Sequence, residues 1–290
     1  MEKKWNGKTK GTLLGYQFFV YSIRFFGIRF SYAFCRLVTF YYVLFAGKNR
    51  KALIHFYQTG FQFSYLKSFG YTIRTFFNFG QVLIDRIALK TSLKKHYSFT
   101  FENEAVLKEI NTLGKGGFLF SGHIGNWENA GSFIGERITS KINILMLDAE
   151  VEKIKGFLSK QTEAVKFNLI PLKDDMSHLI LIHQALKRNE MIALHADRVV
   201  EDQKKIRLPF LNGLAEFPLG PFYMAHKFNV PLTFVFAIKG KGLHYDLSAT
   251  NYLINATSPE ELALKYVEEL ELNVKKAPNQ WFNFYKYYVS

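Results

Sequence analysis

The stretch Gly117-Phe118-Leu119-Phe120-Ser121-Gly122-His123-Ile124-Gly125-Asn126-Trp127-Glu128-Asn129-Ala130-Gly131 runs from an unbroken apolar segment, through a glycine-punctuated turn, into a helical pattern. Four consecutive residues, Phe118–Ser121, have the length and apolar continuity of a strand covered on both faces. Residues 126–137 have the spacing of a helix. A buried strand feeding directly into a helix is the repeating unit of an α/β sheet, and the alternation continues on both sides. Strands are predicted at 97–101, 142–147, 168–172, 191–195, 231–238 and 244–249, with helices at 104–113, 151–164, 177–187, 221–228 and 259–275. Residues 197–219 are rich in Pro and Gly and read as a long loop. The expected fold is α/β: a mixed, largely parallel sheet flanked by helices, with an N-terminal helical membrane-associating segment.

The turn carries the chemistry. His123 stands between strand and helix, and Glu128 falls in the first helical turn, where the macrodipole favours a carboxylate. A carboxylate holding one imidazole nitrogen fixes the tautomer and stabilises the imidazolium. The other nitrogen is then free to take a proton from a hydroxyl. Gly122 and Gly125 permit close backbone approach, and free N–H groups at the helix start could hold a developing oxyanion. Chance alone yields about one such His–acid spacing in a chain of this composition. The residues by themselves therefore leave two readings open, a catalytic pair or a structural histidine beside a helix cap.

Charge divides the chain. Residues 1–95 hold 16 basic and 2 acidic side chains, whereas the other 195 residues hold 22 of each, so the whole net charge of +14 lies in the first third. That third also holds 24 of the 49 Phe, Trp and Tyr residues, which excludes disorder and points to an anionic membrane surface or to nucleic acid. No nucleic-acid-binding signature accompanies it, and the membrane is the expected partner. Helices are predicted over 12–47 (one or two), 50–68 and 71–91. From Gly11 to Ile23 only 13 residues pass before Arg24, and Arg29 and Arg36 follow. Such a segment suits an interfacial helix with snorkelling arginines, while a tilted single span over 11–47 stays open. Two regions are expected: 1–95, basic, aromatic and membrane-associating, and 96–290, the catalytic core. Cys35 is the only cysteine, which rules out an intrachain disulfide and a cysteine-based zinc site.

Other polar residues are candidates for substrate contact. Asp197 and Arg198 follow a buried strand, where α/β sheets place ligands, although a loop ion pair is the plainer reading. Asn126 either orients the turn or caps the helix. Arg207 is suited to a phosphate but is equally consistent with a solvated loop residue. His195 ends a strand, as a second proton-transfer group or a core-edge histidine. His178 and His183 face different ways on one helix, and no metal is expected. There is no G-x-S-x-G elbow for a serine hydrolase.

The string Gly122-His123-Ile124-Gly125-Asn126-Trp127-Glu128 resembles the signature of the bacterial lipid A late acyltransferases, within the larger glycerolipid acyltransferase superfamily. The Trp5-Asn6-Gly7 opening, Ala185–Glu190 with the strand and Asp197-Arg198 after it, Pro209–Ala215, and Pro278-Asn279-Gln280-Trp281 are similar to further blocks of that family. The resemblance implies transfer of a fatty acyl chain from an acyl thioester, on acyl carrier protein or coenzyme A, to a hydroxyl or amine of a lipid acceptor such as a lipid A precursor. It gives His123 the role of general base and Glu128 that of orienting it. It implies no cofactor beyond the thioester co-substrate, and a place on the cytoplasmic face of the inner membrane. Departures include Arg198 where Gln is usual, Asn212 inserted before Gly213, and an aromatic tail over 282–288. The resemblance therefore speaks more firmly for the reaction than for the acceptor. The alternatives are a thioesterase or lipid hydrolase using the same pair, or a non-enzymatic basic membrane-binding protein.

Overall fold

The computed structural model describes residues 13–127, 129–130, 134, 137–147, 167–173, 175–200 and 203–289. The helix expected at 151–164 lies outside them, as does much of the one expected at 126–137.

Helix α1 (Leu13–Phe45) is two arms folded at Gly27, whose φ of 77° and ψ of 176° only glycine adopts readily. Ser22 Oγ lies 2.9 Å from Ser31 Oγ, and the rings of Phe18 and Phe34 are 4.6 Å apart. In a straight helix those two phenylalanines would stand ~24 Å apart. The arms present Ile23, Ser31, Cys35, Thr39 and Val43 inward, four residues apart in the second arm, and leave Phe25, Phe26, Leu37, Phe40, Tyr41 and Phe45 exposed. By length and composition, residues Gln17–Phe45 could cross a membrane as one helix, but the fold at Gly27 divides that length.

Helices α2 (Gly47–Phe61) and α3 (Tyr65–Ala88) follow, the second capped by Ser64 Oγ. Phe56, Tyr57 and Phe76 enter the main core together with Trp281. The Tyr57 hydroxyl is hydrogen-bonded to Thr75 Oγ1 (2.6 Å) and donates to the Pro278 carbonyl (2.9 Å), which pins these helices to the C-terminal segment.

The sheet contains β1 (Ser98–Glu102), β2 (Gly117–Ser121), β3 (Ile142–Leu147), β4 (Phe167–Leu172), β5 (Met191–His195), β8 (Leu232–Lys239) and β9 (His244–Ala249), in the order β1-β9-β8-β2-β5-β3-β4. Every pair is parallel except β8 with β9. Strand β2 is central and wholly buried, as its apolar run requires. Phe118 and Phe120 point into the core built with α5 (Ser177–Lys187), α6 (Gly220–Phe228) and α7 (Pro259–Lys276). Leu119 points to the other face, against Val106, Leu107 and Ile110 of α4 (Ala105–Thr112).

The loop expected at 197–219 contains an antiparallel hairpin, β6 (Lys205–Phe210) with β7 (Gly213–Pro218). Ile206, Leu208 and Phe210 alternate with exposed Lys205, Arg207 and Pro209, a period-2 pattern short enough to be hidden by its Pro and Gly residues. Its outer position in a two-stranded sheet also explains why Pro209 is tolerated.

Candidate active site

Parallel register sets the site. The last residues of β2 and β5, Ser121 and His195, lie opposite each other. Beyond Ser121 the chain turns through Gly122 to His123, and beyond His195 it continues to Asp197. The Ala196 N–H donates to the Ser121 carbonyl at 3.1 Å, carrying the pairing one step past β5. Two residues 74 apart in sequence are thereby brought together at the carboxyl edge of adjacent parallel strands, where α/β folds bind ligands.

His123 Nδ1 lies 2.7 Å from Asp197 Oδ1. Asp197 Oδ2 accepts the His123 backbone N–H at 2.8 Å and the Trp281 indole N–H at 3.1 Å. Asp197 is fully buried. Burial alone would raise its pKa, but His123, through charge and hydrogen bond, and Arg198 outweigh that and hold it well below the ordinary carboxylate range. An ionised carboxylate only accepts, so Nδ1 is the donor and the His123 Nε2 lone pair is left for a substrate proton. Burial, reinforced by the Arg198 charge, lowers the His123 pKa, and Asp197 offsets part of this. The imidazole is therefore neutral, as a base must be, below its usual range.

The turn is tied down by its own backbone. The Ile124 N–H donates to the Gly122 carbonyl, Gly125 to Gln280, and Asn126 to Ala237, at 2.8, 2.9 and 2.8 Å. The Phe282 N–H reaches the His123 carbonyl at 2.8 Å, so the tail after Pro278 straps the turn from outside. Gly125 sits at φ +60°, and a Cβ there would lie 2.0 Å from the Ala237 carbonyl oxygen. With the N–H groups of 123–126 all engaged, none of those four serves an oxyanion.

The predicted residues separate into groups. His123 is central. Glu128 lies outside the described residues. Asp197, expected among the substrate-binding residues, is the carboxylate that holds the His123 ring among the described residues. Arg198 donates from Nε to Asn283 Oδ1 and from Nη2 to the Phe282 carbonyl, both at 2.9 Å, and so holds the strapping tail. Asn126 is buried and donates to the Tyr245 hydroxyl at 3.1 Å, an orienting contact. Arg207 is mostly exposed on β6, paired with Glu216 at 3.1 Å, and no contact among the described residues joins it to His123. His195 does join: its ring centroid is 4.6 Å from that of His123, and Trp127 lies 5.4 Å from His123 on the same cluster. Sequence reasoning missed Trp281 as a partner of Asp197, because nothing local in Pro278–Trp281 announces a contact with residue 197. Among the described residues, no group of three or more His, Cys, Asp or Glu side chains could hold a metal ion.

Residues 66–289 match the family described as bacterial lipid A biosynthesis acyltransferase. The chain belongs to that family. The match includes His123, Asp197 and the strapping tail, and begins after α1 and α2. A comparison with curated proteins found no match. Membership in the lipid A acyltransferase family gives the site its reaction class, acyl transfer, and the apolar N-terminal helix is consistent with work at a membrane.

Proposed function

We propose that this protein is a membrane-associated O-acyltransferase that moves a fatty acyl chain from an acyl thioester, carried by acyl carrier protein, to a hydroxyl of a lipid A precursor or a closely similar glycolipid. The observation that carries this reading is the 2.7 Å contact of His123 Nδ1 with buried Asp197 in a lipid A acyltransferase family chain. His123 Nε2 takes the acceptor hydroxyl proton as the oxygen attacks the thioester carbonyl carbon. The tetrahedral oxyanion collapses, the C–S bond breaks, and the imidazolium returns the proton to the leaving thiolate. Asp197 stabilises the imidazolium between those steps without itself taking the proton. No acyl-enzyme is required, and Cys35 is buried in the packing of α1. Lipid mass spectrometry of cells with and without the gene is expected to reveal one glycolipid class lighter by one acyl chain in its absence. An unchanged glycolipid profile would overturn the acceptor assignment.

Residues 1–95 form the membrane-associating region in this reading and 96–290 the catalytic core, at the cytoplasmic face of the inner membrane. Arg24 and Arg29 flank the fold at Gly27, and tip-first insertion would carry both guanidiniums toward the bilayer centre at ~2.5–3.5 kcal/mol each. An in-plane position avoids this: exposed Phe25, Phe40 and Phe45 enter the interface while Arg24, Arg29 and Arg36 reach headgroups. Both forces hold the hairpin, so neither alone releases it. Replacing Phe25, Phe40 and Phe45 by Ser is expected to make vesicle binding sensitive to 1 M salt, at which the screening length is ~3 Å. Sedimentation with anionic vesicles checks this, and a triple variant that still pellets fully in high salt would count against the in-plane reading.

A further inference from the structure

His195 is the titratable group in the site that the mechanism above leaves unused. It is the last residue of β5, in register with Ser121, the residue from which the catalytic turn departs. Its ring is inclined 56° to that of His123, with Trp127 edge-on at 6.3 Å. Among the described residues neither ring nitrogen of His195 has a hydrogen-bond partner. Of the other histidines, His178 Nδ1 accepts the Lys173 N–H and His244 is tied to Ser98 and Asp246, whereas His55 Nδ1 is buried without a partner among the described residues and lies away from His123, against the Tyr288 ring. A polar ring at the carboxyl end of β5, packed against the base and without a hydrogen-bond partner among the described residues, is placed to meet substrate.

The reaction needs a donor that the N–H groups of residues 123–126 do not provide. When the acceptor oxygen attacks, negative charge develops on the thioester oxygen, and preorganised donors stabilise it by far more than water does. The N–H groups of residues 123–126 all point at other carbonyl or carboxylate oxygens. We propose, on the acyl-transfer reading, that the neutral imidazole of His195 donates an N–H to that oxyanion, beside the proton transfer performed by His123. One ring supplies the base and its neighbour the electrophile.

Neutrality is compatible with the role. Burial, with the nearby His123 and Arg198, outweighs the opposing pull of Asp197 and brings the His195 pKa down to about 3, so the ring stays uncharged while donating. A charged imidazolium here would oppose protonation of His123. A neutral one polarises the carbonyl and leaves the base free to gain its proton. The bonds balance without a further reactant: the O–C bond forms, the C–S bond breaks, and the proton passes from acceptor oxygen through His123 to sulfur.

The test compares His195→Ala, His195→Phe and His195→Gln with the wild-type protein and His123→Ala, using an acyl carrier protein thioester and a lipid A precursor. Ala and Phe are expected to lower kcat about 10²-fold with KM within twofold, and Gln, which keeps an N–H donor, to recover about tenfold. Circular dichroism and melting temperatures identify variants that merely misfold. A His195→Ala protein within threefold of wild-type kcat, or Gln no better than Phe, overturns the proposal. Binding of a long-chain alkyl phosphonate, a mimic of the tetrahedral intermediate, provides a second readout independent of the acceptor. Phe is expected to weaken it at least 30-fold, and unchanged affinity overturns the proposal. Wild-type protein that fails to acylate lipid A precursor yet binds the phosphonate through His195 supports the oxyanion role and overturns the acceptor assignment instead.

Discussion

Asp197→Asn is expected to lower acyl transfer by about 10⁴-fold, matching or exceeding His123→Ala, while leaving the protein folded. The reason lies in what the carboxylate does with its two oxygens. Oδ1 holds the His123 ring N–H, and Oδ2 collects the His123 backbone N–H and the Trp281 indole N–H. An amide of the same shape replaces one acceptor by a donor. If its oxygen stays on Oδ2's two partners, its NH₂ faces Nδ1 and forces the proton to Nε2, removing the base. The isosteric change therefore acts through tautomer and lost imidazolium stabilisation, with an effect on the order of 10⁴-fold in such pairs. His123→Ala removes the base itself, for a loss of about 10²–10⁴-fold. Steady-state transfer by purified variants checks both. Glu128→Gln is the control that separates the two carboxylates: if it falls as far and Asp197→Asn retains more than a tenth of wild-type activity, Asp197 is not the orienting group.

The pH profile follows from the same geometry. Activity requires neutral His123, so the rate falls as pH drops through its pKa, which burial and Arg198 place below the ordinary histidine range. The acid limb of kcat is therefore expected below ~6.5. Replacing Arg198 by Gln removes one depressing charge and is expected to move that limb upward. A limb that moved down or stayed fixed would contradict the electrostatic account.

The strand and turn at 117–127 were legible in the sequence because each piece is local: an apolar run and glycines at the turn. The alternating sheet was legible for the same reason. The contact of Asp197 with His123 was not. Glu128 is five residues from His123 and Asp197 is 74, and only the parallel register of Ser121 with His195 carries Asp197 beneath the imidazole. A local search favours the near carboxylate by construction. The hairpin at 205–218 was missed differently. Among the described residues its strands pair only with each other and with the tail, where the Val289 N–H reaches the Leu214 carbonyl at 3.0 Å, so its apolar alternation is brief. The tail itself, 278–289, resembles nothing regular in sequence because its order comes from contacts with α2, α3 and the catalytic turn.

Lys239→Met is expected to destabilise the protein by about 3–5 kcal/mol, a large share of a typical 5–15. Lys239 Nζ lies 2.7 Å from Asp85 Oδ2, and both side chains are almost wholly removed from solvent. The ammonium also donates to the Gly242 carbonyl at 2.8 Å and to the Tyr32 hydroxyl at 3.1 Å. Asp85 accepts from the hydroxyls of Tyr32, Tyr97 and Tyr245, so with Lys239 four elements or their flanks converge on one carboxylate of α3. Methionine fills much of the lysine's volume but leaves the buried Asp85 carboxyl without its ammonium partner. Desolvating two charges opposes what their attraction gains, so the intact pair contributes little net stability, yet breaking it exposes the full penalty. The double variant Asp85→Leu with Lys239→Met should thus be more stable than Lys239→Met alone. Urea unfolding in detergent measures both, and a single variant within 1 kcal/mol of wild type would refute the buried-charge argument. The pair's structural role is then one of address: Tyr32 belongs to the folded α1, Asp85 to α3, and Tyr245 receives the N–H of Asn126 in the catalytic turn. The same network that docks the folded α1 against β8 and β9 thereby reaches the turn bearing His123. The double variant, stable but without that network, is expected to transfer acyl chains more slowly than wild type.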